Sequence, residues 1–164
     1  MKFYLFSVFL IFTTAFGNAQ NIAATGNWSS SIAATSITEA GSNYTANATS
    51  ATNQTLVSFN VPAGLFGATY QVFVHKLDAT WNSNLSLWTR RTGNGTSNAF
   101  FGGSISGGTT FLQLTNSPQL LCNGTTGILG NGRDNIPMQH EIRGISVIVP
   151  VRTYTTTVVY TVSN

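Results

Sequence analysis

After its first twenty residues the chain is organised by short runs of period two, each broken by Gly, Asn, Ser or Pro, and no apolar stripe recurs at helical spacing. The pattern predicts an all-β domain. Val57, Phe59 and Val61 alternate with Ser58 and Asn60. Pro62-Ala63-Gly64 interrupts, and Tyr70, Val72 and Val74 then alternate with Gln71 and Phe73. Successive side chains on a strand point to opposite faces, so these are two half-buried strands joined by a loop. Leu85 and Leu87 oppose Ser86 and Trp88, and Arg90-Arg91-Thr92-Gly93-Asn94-Gly95 supplies residues for a tight loop after them. Thr109 to Thr115 and Gln119 to Cys122 are expected as short strands around the turn residues Asn116-Ser117-Pro118. Met138, His140 and Ile142 share one parity and Ile145, Val147 and Val149 the other, which predicts a bulge or bend at Gly144. A long last strand carries Tyr154, Thr156, Val158, Tyr160 and Val162 on one face. The stretch from Ala40 to Gln54, rich in Asn, Thr, Ser and Ala, fits an edge strand or a loop.

Several strands at near-regular spacing, strong turn signals and no helix predict one immunoglobulin-like antiparallel β-sandwich. Ahead of it, Lys2 precedes the apolar run Phe3 to Phe12, and the small residues Gly17 and Ala19 follow, the layout of a signal peptide. The expected organisation is a leader over residues 1–19, cut before Gln20, and a secreted domain over residues 20–164. The apolar run is about half the roughly 20 residues a spanning helix needs, so no membrane insertion is expected.

Charge narrows the function classes. Charged residues are 7% of the chain, against about 25% in ordinary soluble domains. Without Lys2, six cations face four anions, and the only adjacent cations are Arg90 and Arg91. That is too sparse a positive surface for nucleic acid or for electrostatic attachment to an anionic membrane. Cys122 is the only cysteine, so no intramolecular disulfide is available, and its place in Leu120-Leu121-Cys122 predicts a buried thiol. His75 and Asp78 face apart on a strand, as do His140 and Glu141. The glycines at 102–103 and 107–108 precede no helix that would complete a phosphate loop. No catalytic residue, metal site or cofactor is therefore expected, and a small hydrolase ranks last among the readings.

Two binding hypotheses remain. Trp81 and Asn82, with Trp88, Arg90 and Arg91, place flat apolar faces beside amide and guanidinium donors, a combination suited to gripping a sugar ring. If the leucines of the 85–87 segment point inward, Trp88 points outward. Alternatively both tryptophans pack inside. The chain ends suggest assembly. Ile22, Ala24 and Trp28 are evenly spaced near the expected N-terminus, and Tyr154, Val158 and Tyr160 mark the last strand. Such strands either complete a neighbouring subunit or close the domain's own sandwich.

The closing stretch from Val149 to Val162, Val-Pro-Val-Arg-Thr-Tyr-Thr-Thr-Thr-Val-Val-Tyr-Thr-Val, resembles the end of spore coat protein U and chaperone–usher pilin-like domains. Those families usually carry a disulfide, from which this chain departs. The resemblance implies a structural or adhesive subunit of a bacterial surface appendage or coat, with copies of itself or other subunits as partners. An extracellular carbohydrate-binding module is the alternative.

Overall fold

A computed structural model describes residues 20–32 and 47–164; the expected signal peptide and residues 33–46 lie outside the described residues. The described chain contains β1 (Asn21–Thr25), β2 (Ala48–Thr49), β3 (Thr55–Asn60), β4 (Thr69–Thr80), β5 (Ser86–Arg91), β6 (Thr96–Ser97), β7 (Ser104–Ser106), β8 (Leu112–Gln113), β9 (Gln119–Thr125), β10 (Gly132–Arg143) and β11 (Thr155–Ser163). All of the strand pairings are antiparallel. One sheet runs β1-β3-β10-β5-β8, with β2 and β6 also pairing with β10, and the other runs β11-β4-β9-β7. The two sheets face each other as a β-sandwich.

Alternation decides which side chains fill the interior. Val57, Phe59 and Val61 are buried from β3 and the residue beyond it, and Tyr70, Val72 and Val74 from β4. The Phe59 ring lies 4.6 Å from the Tyr70 ring, tilted by 52°. Leu87 is buried on β5, while Met138 and Ile136 enter from β10 and Tyr160 from β11. The free thiol of Cys122 is buried among them, and desolvation pushes it up to about 11, so it is a packed, unreactive sulfur.

Two sequence expectations are refined. Of the bulge or bend expected at Gly144, the bend is found: β10 ends at Arg143, and Gly144, at φ +82°, turns the chain out of the sheet, so Ile145, Val147 and Val149 stand in a loop. The bulge in β10 lies instead between Arg133 and Ile136, where Asn135 adopts φ +54°. Asn tolerates that region better than most side chains. The expected strand from Thr109 to Thr115 shrinks to Leu112–Gln113, which pairs with Thr89 and Trp88.

Arg91 ends β5 on the inward parity and is buried, unlike its neighbour Arg90. Its guanidinium donates to the carbonyls of Gly93 and Gly107 and to the side-chain oxygen of Asn94. Arg133, buried on β10, donates to the Asn94 carbonyl at 3.0 Å. The turn after β5 is thus fastened from inside by two cations bonded to neutral oxygens. Charge-assisted bonds of this kind are about twice as strong as neutral ones.

Candidate functional site

Register places the β3–β4, β6–β7 and β9–β10 loops at one end of the sandwich, because Asn60 lies opposite Gly132 and Thr69 opposite Thr125. Each loop carries an apolar pair beside glycine: Leu65-Phe66 between Gly64 and Gly67, Phe100-Phe101 before Gly102, and Ile128-Leu129 between Gly127 and Gly130. All six side chains are open to solvent, with exposures of 67% and 86%, 73% and 64%, and 43% and 61% respectively. At about 200 Å² for a large apolar residue, they leave on the order of 800 Å² of apolar surface, above the roughly 300–600 Å² of a typical monomer's largest patch. Residues 62–68, 98–103 and 126–131 include no charged side chain.

The tip is built and not merely unpacked. Phe101 and Ile128 form a β-bridge, with the Phe100 N–H donating to the Ile128 carbonyl at 3.1 Å and the Ile128 N–H to the Phe101 carbonyl at 2.8 Å. Ala68 and Thr126 hold the first loop to the third through the Thr126 N–H and its hydroxyl, both at 2.9 Å. Asn98 ties the second loop to the third: its amide donates to the Asn131 side chain at 2.7 Å, and its oxygen accepts from the N–H groups of Asn131 and Gly132. Gly67 has φ +89°, and a Cβ there would come within 2.8 Å of the Gly127 carbonyl oxygen, so only glycine permits this approach. Leu129 is held at φ +57°, a conformation costing a leucine roughly 1–2 kcal/mol. These contacts fix the three loops against one another, and the six side chains they carry are exposed.

The residues expected to bind sugar fall on separate surfaces. Trp81 packs partly against the core at the opposite end of the sandwich, and its indole N–H donates to the Leu85 carbonyl at 2.9 Å. It lines an open cleft of about 410 Å³ with Lys76, Asp78, Gln113, Thr115 and Asn116. Lys76 and Asp78, two apart on β4 and so on one face, form an ion pair there, and the Lys76 ammonium lies 5.7 Å from the Trp81 ring centre. Asn82 accepts from the Asn84 N–H and shapes the turn. Leu87 points inward and Trp88 outward, onto the outer face of the larger sheet. Arg143 stacks 4.0 Å over the Trp88 ring, and Arg90 lies 4.6 Å over Phe111 while donating twice to Gln139. Arg91 turns inward, away from both tryptophans.

At the chain ends, β1 pairs with β3 and β11 with β4, each forming the outer edge of its own sheet. Ile22 and Trp28 pack against the domain's own core, Ala24 is exposed, and Val158 and Tyr160 face inward. Tyr154 precedes β11, its hydroxyl donating to the Pro150 carbonyl at 2.6 Å.

His140 is buried on β10 with Nε2 3.0 Å from the Thr55 hydroxyl, and Trp28 is stacked beside it at 6.4 Å. Its Nδ1 is buried without a hydrogen-bond partner, and desolvation lowers its pKa to about 4. Glu141, on the other face of β10, is also buried, and accepts from Asn47, Thr49 and the Arg143 guanidinium. Among the described residues no three His, Cys, Asp or Glu side chains gather as a metal set.

The signal for the tip lies in the sequence as three glycine-flanked apolar pairs. Period-two reading passes over it, because each pair is too short to be a strand and only the fold brings the three together. No family model, curated protein or solved structure matches the chain.

Proposed function

We propose that this chain is a secreted, non-enzymatic adhesive or structural domain of a bacterial cell surface, an immunoglobulin-like sandwich that holds its apolar tip toward a partner. The exposed six-residue cluster on three mutually bonded loops carries this reading, since exposing that much apolar surface is unfavourable unless it is covered in use. The leader supports export, and β1 and β11, each the last strand of its sheet, are where a neighbouring subunit could add a strand. Beads coated with the exported protein are expected to adhere to untreated polystyrene, and the double variant Phe66→Asp, Phe100→Asp to lose most of that adhesion. Equal, weak retention of both proteins would remove the adhesive reading.

The cleft around Trp81 favours carbohydrate binding as the second reading, because an indole wall, an ion pair and two side-chain amides converge there. On a glycan array Trp81→Ala should lower the signal about tenfold, the scale of one lost stacking contact, whereas Trp88→Ala, on a different surface, should leave it unchanged. A flat array with the unaltered protein eliminates this reading.

A further inference from the structure

We infer that the apolar tip docks on a phospholipid bilayer surface by shallow insertion of Phe66, Phe100 and their neighbours, an inference that rests on the adhesive reading and names its partner. The tip's charge complements an acyl phase, because no ionisable side chain in the three loops has to be desolvated. Its backbone is prepared in the same sense. The N–H groups of Gly67, Phe100, Ile128 and Gly130 are already bonded to carbonyls within the tip, and buried polar groups in lipid require such internal partners. Asn98 and Asn131 form an amide collar behind the apolar residues, at the level where headgroups and water would meet it.

Area argues against a second copy as occupant. A stable dimer needs about 800 Å² per partner, and two projecting tips meeting head-on would cover only part of the surface that each exposes, whereas a deformable bilayer surrounds it. None of this requires a spanning helix, and no helix among the described residues is long and apolar enough to cross a membrane. Nor does it require a basic cluster, so the docking differs from both modes that the sequence argues against.

The test is sedimentation of the exported protein with phosphatidylcholine vesicles and with phosphatidylcholine–phosphatidylserine vesicles, at low and high salt. Binding to both, little changed by salt, is expected. Phe66→Asp with Phe100→Asp should weaken it roughly tenfold or more without altering thermal unfolding, and Leu77→Asp, on an exposed sheet face, should bind like the unaltered protein. Binding only to anionic vesicles at low salt would overturn insertion. A protein that stays in solution with every vesicle overturns the lipid partner, while the adhesive reading stands if the bead assay still depends on the tip. A tip-dependent oligomer in solution that ignores vesicles assigns the surface to a second copy and also overturns it.

Discussion

Phe59→Ala is expected to cost the domain about 3–5 kcal/mol, the range for deleting a large aromatic from a close-packed interior. Phe59 is only 1% exposed and packs against Tyr70 on the opposite sheet, so its ring is one of the contacts that hold the two layers together. It also sits at a junction: its backbone lies opposite Ile22 on β1 and Arg133 on β10, and truncation leaves a cavity bounded by both sheets. Small domains have a total stability of only about 5–15 kcal/mol, so the variant should unfold at a much lower urea concentration with an unchanged dependence on denaturant. Leu77→Ala is the comparison, since Leu77 is exposed on the outside of the smaller sheet and its loss should cost about 0.5 kcal/mol or less. Similar midpoints for the two variants would contradict the placement of the core at Phe59.

Acid should destabilise the protein through His140 by about 3 kcal/mol between neutral pH and pH 4. Burial lowers the folded-state pKa to about 4 from the ordinary 6.5. Between those values the unfolded chain binds a proton that the folded chain refuses, so stability rises with pH across this window. The contribution is complete above about pH 6.5, falls as pH drops, and levels off below pH 4. About 2 kcal/mol is already lost at pH 5, before most carboxylates protonate. His140→Gln, which can keep a hydrogen bond to Thr55, should be less stable at pH 7 yet nearly flat between pH 6.5 and 5. Denaturant melts at several pH values provide the measurement, and an equal slope in both proteins would show that His140 is not the group responsible.

Legibility along the chain follows a physical division. Where one face of a strand is buried and the other wet, alternation is written into the sequence, and β3, the first half of β4, and β11 are readable for that reason. The same logic separates Leu87 from Trp88 and turns Arg91 inward beside an outward Arg90. It breaks down after Gly144, where apolar residues at strand spacing stand in a loop, with Ile148 and Val151 exposed. Apolar spacing reports which residues would share a face if the chain were extended, but not whether a partner strand exists to extend it. The actual bulge at Asn135 lies in the polar stretch Gly132 to Asn135, where there is no apolar rhythm to interrupt.

Burial of Cys122 and the all-β, antiparallel character of the domain were determined by local information: composition, period and turn residues within a few positions of one another. The candidate site was not. Trp81 and Trp88 are seven residues apart and lie on different surfaces, while Leu65, Phe100 and Ile128 are far apart in sequence and lie on neighbouring loops. Strand pairing brings them together, through Asn60 opposite Gly132 and Thr69 opposite Thr125. Pairing partners are long-range choices made by the packing of the whole sandwich. The sequence by itself therefore determined the kind of fold and its interior, and only the tertiary structure decided that three short glycine-flanked apolar pairs form one surface.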